Sequence, residues 1–153
     1  MKRLSLILLC LVGLSLVAAP LWAQNRGTKK EAEAMVKKAV AAIKADGREK
    51  AFAAIDDPKG PFRDRDLYVV VYDLQGKCLA HGANSKQIGK DLIGLRDPDG
   101  KFFVKERVEL AKTHDSFWQD YKFINPMTKL IEPKSMYMEK VGDILVGCGI
   151  YKP

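Results

Sequence analysis

The polarity of the chain changes character along its length. From Leu4 to Ala19 it is apolar almost throughout, broken only by Ser5, Gly13 and Ser15. From Thr28 the apolar residues recur as Ala32, Met35, Val36, Ala39, Val40 and Ile43, the i, i+3, i+4, i+7 spacing of an amphipathic helix. Thr28 with Glu31 forms a capping box, so a helix is predicted over Thr28–Ala45. Its opposite face carries Lys29, Lys30, Lys37, Lys38 and Lys44 and reads as solvated. Asp46-Gly47 ends it, and a short second helix from Arg48 to Ile55 presents Ala51, Phe52 and Ile55.

After the two prolines of Asp57–Pro61 the period shortens. Leu67–Leu74, rich in β-branched and aromatic residues, predicts a central strand. Gly76 turns the chain, and Lys77–His81 returns as the second strand of a hairpin. Gly82–Gly100 is irregular but carries Ile88, Leu92, Ile93 and Leu95, enough to pack back onto the domain. A helix is predicted over Lys101–Thr113, burying Phe103, Val104, Val108 and Ala111. Three strands follow: Ser116–Ile124, Lys134–Val141 with Pro133 at its start, and Ile144–Tyr151. Helices grouped apart from an antiparallel set of strands make this an α+β domain.

The N-terminal run changes the picture of where the domain resides. Met1-Lys2-Arg3 is a positive n-region, Pro20 ends the apolar stretch, and Ala23 precedes Gln24 as the small residue of a signal-peptidase site. Residues 1–23 are expected to be a signal peptide and 24–153 a single exported, periplasmic domain. The alternative is that Leu4–Leu21 is retained as an inner-membrane anchor. The net charge is +7, and removal of Lys2 and Arg3 leaves +5. That suits an anionic ligand or acidic partner surface. The scattered Lys and Arg residues, with no basic aromatic motif, exclude nucleic acid.

Catalytic chemistry finds little to use. There is no Gly-x-Ser-x-Gly elbow, no His-Glu-x-x-His and no phosphate-cradling glycine loop. With His81 and His114 alone, neither haem nor structural zinc is expected, and no cofactor is. Asp97-Pro98-Asp99-Gly100 lacks the later ligands of a calcium loop and reads as a turn. Two cysteines, Cys78 and Cys148, lie in the domain within strand-like segments, where either a disulfide or two buried thiols could stand.

From Leu67 to Tyr151 the order of motifs resembles the single Cache family. The matching residues are Tyr72-Asp73-Leu74-Gln75-Gly76, Leu79-Ala80-His81, Gly89-Lys90-Asp91-Leu92, Asp97-Pro98-Asp99-Gly100-Lys101 and Phe103-Val104. They continue with Tyr121, Asn125-Pro126, Lys134, Tyr137 and Gly147-Cys148-Gly149-Ile150-Tyr151. The resemblance implies a PAS-like five-stranded antiparallel sheet with a long N-terminal helix and a helix and loop covering the faces. In that fold the first strand lies between the second and the fifth. Cys78 and Cys148 would then be two strand spacings apart, roughly 9–10 Å, beyond the reach of a disulfide.

The resemblance also implies a sensor of small molecules, typically small carboxylates, held on one face of the sheet. A carboxylate leaving water needs a cation or several donors. The candidates are Lys134, with Tyr121, Tyr137, His81 and Tyr72 as donors. A solvent-exposed lysine, core tyrosines and an edge histidine are the competing readings. Because the chain stops at Pro153 without an output domain, a separate membrane receptor, kinase or transporter is the expected partner, and the basic helix face could serve a homodimer. A ligand-free interaction protein that has kept the fold stays open beside this reading.

Overall fold

A computed structural model describes residues 26–152; the expected signal peptide and its cleavage site lie outside the described residues. Helix α1 spans Lys29–Asp46 and α2 Arg48–Asp56. Thr28 caps α1, with both halves of the capping box made: Glu31 N–H donates to Thr28 Oγ1, and Thr28 N–H donates to Glu31 Oε2. Gly47 separates the helices at φ 83°, where a residue with a Cβ would be strained.

The strands are β1 (Arg63–Asp64), β2 (Leu67–Asp73), β3 (Cys78–His81), β4 (Ser116–Ile124), β5 (Ile131–Val141) and β6 (Ile144–Tyr151). All pairings are antiparallel; β2 joins β3 and β6, and the sheet continues through β5 to β4. The first long strand thus lies between its hairpin partner and the last strand, as the resemblance implies. The two-residue β1, paired with Leu67 and Tyr68, is an addition that no periodicity announces.

Because β2 is central and covered on both sides, it is buried from Leu67 to Tyr72. Leu67, Val69 and Val71 meet α1 and α2, together with Ile144, Val146 and Cys148 of β6. Tyr68, Val70 and Tyr72 face the other way. That second face is covered by the loop after β3 and by α3, Phe103–Leu110. The helix is shorter at both ends than Lys101–Thr113, since Phe102 offers no capping side chain and the chain turns after Leu110.

Strand β5 begins at Ile131 and includes Pro133, three residues earlier than alternation suggests. The missing proline N–H costs the ladder little. Pro133 O still accepts from Lys152 N at 2.8 Å, and Lys152 O takes Arg26 Nη1 at 3.4 Å.

Cys78 and Cys148 are free thiols on opposite faces of the sheet. Cys148 Sγ lies 3.8 Å from Met35 Sδ under α1, while Cys78 belongs to the cluster under α3. Burial pushes both thiols up to about 12.

Candidate functional site

The sheet face opposite α1 collects the polar chemistry. Alternation sends Tyr68 and Tyr72 of β2, Tyr121 and Phe123 of β4, and Lys134 and Met136 of β5 to this side. His81 enters from the end of β3. The loop after β3 closes over them with Gln87, Leu92 and Leu95, and α3 contributes Phe103. A cavity of about 10 Å³ remains, lined by Tyr68, Tyr72, His81, Phe103, Tyr121 and Met136 among others. That is room for about one water molecule.

The loop is fixed by its backbone and by one aspartate. Cys78 N donates to Lys90 O and Leu92 N to Gly76 O. Asp97 accepts from the N–H groups of Asp99 and Lys101 through Oδ1 and of Lys122 on β4 through Oδ2. Burial opposes its charge, yet these three donors hold its carboxyl below the usual range. Asp97-Pro98-Asp99-Gly100 is a turn that clips the loop to β4.

Lys134 is 1 % exposed. Its Nζ donates to Tyr68 OH at 2.7 Å and Tyr151 OH at 3.3 Å, and Tyr151 OH donates to Ile124 O. Room for the lysine stem comes from Gly149, where a Cβ would meet Lys134 Cε. Among the described residues no carboxylate forms a salt bridge with this ammonium, and burial lowers it to about 7.

His81 is fixed in one tautomer. The N–H groups of Ala83 and Asn84 both point at Nδ1, at 3.2 and 3.0 Å, so the proton sits on Nε2. Burial, and then nearby Lys134, lowers the ring to about 3, so it is a neutral Nε2–H donor. Its plane stacks on Tyr68 with centroids 5.2 Å apart.

The family profile of single Cache domain 2 matches residues 19–152 of the chain. The chain belongs to that family. Its methyl-accepting relative McpP of Pseudomonas putida, a chemotaxis protein, is 33% identical over 90 residues, which cover 58% of this chain and 16% of that protein. The chain therefore spans a small part of the length of that curated relative. A methyl-accepting chemotaxis protein from Vibrio parahaemolyticus superposes with a TM-score of 0.69 at 26% identity, covering 80% of this chain and 87% of that one. A Cache chemosensory domain solved for its recognition of carboxylic acid shares the fold, with a TM-score of 0.65 at 21% identity over 81% of this chain and 88% of that one.

Of the residues nominated from the sequence, this Cache domain brings Lys134, Tyr121, His81 and Tyr72 to one face and leaves Tyr137 off it. Tyr137 is three positions from Lys134 on a strand, so its side chain points to the α1 face. There it packs beside Trp118, with ring centroids 5.4 Å apart.

One residue without a sequence nomination dominates the site. Arg107 of α3 is fully buried, its Nε donating to Gln119 Oε1 at 3.1 Å. Both terminal nitrogens, Nη1 and Nη2, are buried and make no hydrogen bond of good geometry, although the Tyr72 and Tyr121 hydroxyls stand close enough to favour the charge. The guanidinium stands 5.0 Å from the centroid of Tyr72, 5.4 Å from Tyr121 and 5.6 Å from Phe103, all cavity-lining rings. The signal for it is positional. Arg107 follows Phe103 by four residues and Val104 by three, and precedes Ala111 by four, on the stripe that helical spacing sends inward. Val108, named from the same spacing, is only half-buried.

The face therefore holds two buried basic groups, Arg107 and Lys134, and among the described residues neither forms a salt bridge with a carboxylate. Neutral donors stand nearby at His81 Nε2 and the tyrosine hydroxyls. Chemically, the arrangement offers positive charge and hydrogen-bond donors on one buried face.

Proposed function

We propose that the chain is a periplasmic sensing module that binds a small organic acid, with the carboxylate held by Arg107 and assisted by Lys134, Tyr121, Tyr72 and His81. The observation that carries this reading is the pair of unpartnered Arg107 terminal nitrogens. A buried guanidinium with open donors is costly unless an anion arrives to take them. A guanidinium fork also matches a carboxylate in geometry. The Cache neighbour solved with carboxylic acid recognition in view lends the same ligand class to the reading. A membrane receptor, kinase or transporter is the proposed partner, in keeping with the chemotaxis role of the McpP relative.

A second reading, a ligand-free interaction protein, draws on the cavity, which at about 10 Å³ holds no organic acid as it stands. On the sensing reading, the wall formed by Gln87, Leu92 and Leu95 moves outward to admit the ligand, and that displacement is the signal. Thermal unfolding of the exported protein against acetate, propionate, lactate, pyruvate and amino acids separates the two. A ligand at a hundred times its dissociation constant stabilises by about 2.7 kcal/mol, a shift of several degrees for a domain of this size. A shift confined to carboxylates supports the sensor, and no shift from folded protein leaves the interaction reading.

A further inference from the structure

Among the described residues the exposed large hydrophobic side chains are Phe102, Ile124, Met127, Leu130 and Ile131. They gather at one end of the domain. Ile124 and Ile131 are a cross-strand pair at the mouth of the β4–β5 hairpin, and Met127 and Leu130 occupy its tip. Arg96 stacks on Phe102 at 4.0 Å and lines a surface groove with Ile124 and Ile131, which joins Phe102 to the patch.

The tip has a defined conformation. Asn125 is 1 % exposed; its Oδ1 accepts from Met127 N, its N–H donates to Leu130 O, and its Nδ2 donates to Glu132. Glu132 also accepts from Thr128 Oγ1 and from Arg26 Nη1. Such bonding spends a buried polar framework on displaying apolar side chains to solvent. The contacts of Arg26 with Glu132 and Lys152 O place the entry of the chain at the base of the same hairpin. Arg96 and Lys129 have no carboxylate partner among the described residues.

We propose that this end of the domain is a membrane-docking surface. The tip residues Met127 and Leu130, with Ile124 and Ile131, enter the interfacial layer of a bilayer, and Arg96 and Lys129 lie against anionic headgroups. Apolar side chains ringed by unpaired cations are the composition of interfacial segments. On the alternative in which Leu4–Leu21 is retained as an inner-membrane anchor, chain connectivity also supports a bilayer as the occupant. Six residues lie between Ala19, the end of the apolar run, and Arg26, a span of seven chain steps. Seven steps reach about 25 Å at most, so an anchor that ended at Ala19 would hold Arg26, and with it the base of the hairpin, near the membrane surface. A second copy fits less well, because a two-fold contact would bury Arg96 and Lys129 of both copies in one apolar interface.

The test uses the full chain with Cys10→Ser and Met127→Cys carrying an environment-sensitive nitrobenzoxadiazole label; Cys78 and Cys148 are buried and stay unlabelled. The comparison label sits at Asp143→Cys, in the β5–β6 turn at the far end of β5, about 35 Å away. Vesicles are phosphatidylethanolamine and phosphatidylglycerol at roughly 3:1, an anionic surface. The expected result is about a threefold rise in emission at position 127, quenched by spin-labelled lipid, with no rise at 143. Leu130→Asp, at a side chain 64 % exposed and outside the core, returns the 127 signal to background. No rise at 127, an equal rise at 143, or a rise that Leu130→Asp leaves intact overturns the proposal. So does a rise that depends on protein concentration without vesicles, which would make the patch an interface between copies.

Discussion

The stem of Lys134 lies across the bare Cα of Gly149. A methyl group at that position would stand 2.5 Å from Lys134 Cε and 2.9 Å from both Met136 Sδ and the Ser135 carbonyl oxygen. The lysine reaches the Tyr68 hydroxyl only because β6 carries no side chain there. Gly147 serves Met138 in the same way. The two glycines of the last strand therefore make room for side chains of β5 rather than for open space.

Gly149→Ala is expected to cost about 1–3 kcal/mol, the penalty of overpacking, because the Ser135 carbonyl belongs to the sheet and cannot yield. It also moves Lys134 Nζ off Tyr68. Urea unfolding reads the first effect and the ligand-induced thermal shift the second. A variant with an unchanged midpoint and an unchanged ligand response would show that Lys134 is free to lie elsewhere.

Arg107→Met separates function from stability. Replacing a buried charged group by an apolar side chain of similar volume ranges from neutral to a gain of about 1–4 kcal/mol, while Gln119 Oε1, left without its donor, costs about 1–3 kcal/mol. The two nearly offset, so the unfolding midpoint of the ligand-free variant stays close to wild type while the response to carboxylates disappears. A drop of several kcal/mol with binding retained would instead make Arg107 a structural residue satisfied by the rings of Tyr72, Phe103 and Tyr121.

Much of this fold is legible in the sequence where one period rules for long enough. The capping box at Thr28, the strand Ser116–Ile124 and the strand Ile144–Tyr151 all stand where the pattern places them. The pattern fails where tertiary contacts decide: β1 exists because β2 offers it an edge, and α3 begins only at Phe103, with no capping side chain before it. The site is legible only in part. Alternation places Trp118 and Tyr121 on opposite faces, and the same parity separates Lys134 from Tyr137, against the nomination of both for one pocket. Arg107 hides because a charged side chain on an inward stripe reads as a solvated interruption until its surroundings are known.

That parity makes a paired test. Tyr137→Phe removes a hydroxyl on the α1 face and is expected to leave carboxylate affinity unchanged. Tyr121→Phe removes one on the cavity face, beside Arg107. Loss of a single hydrogen bond of about 1.4 kcal/mol weakens binding by about tenfold. Calorimetric titration of both variants decides; equal effects would place the ligand away from this face.

Protonation of Lys134 gives the binding reaction a pH dependence whose sign follows from burial. The group sits at about 7 in the folded domain, against 10.5 when exposed. Between those values the unfolded chain holds a proton that the ligand-free folded state lacks, so stability rises with pH from about 7 upward. The rise is capped near pH 9, the ordinary value of the thiols. Above it the unfolded chain ionises Cys78 and Cys148 while the folded state keeps them protonated up to about 12. On the acid side, His81 is neutral in the fold down to about 3, so stability is lost as pH falls from 6.5 toward that value. A bound carboxylate favours the charged ammonium and raises the pKa of Lys134, so binding takes up a proton above neutrality. Affinity is therefore expected to fall as pH rises above about 7, by at most about tenfold per pH unit, since one proton is involved. Titrations in buffers of different ionisation enthalpy count that proton directly, and Lys134→Met, which has none to take up, should give a flat profile at lower affinity. A wild-type profile that is itself flat from neutral to pH 9 would remove Lys134 from the binding reaction and leave the anion to Arg107 alone.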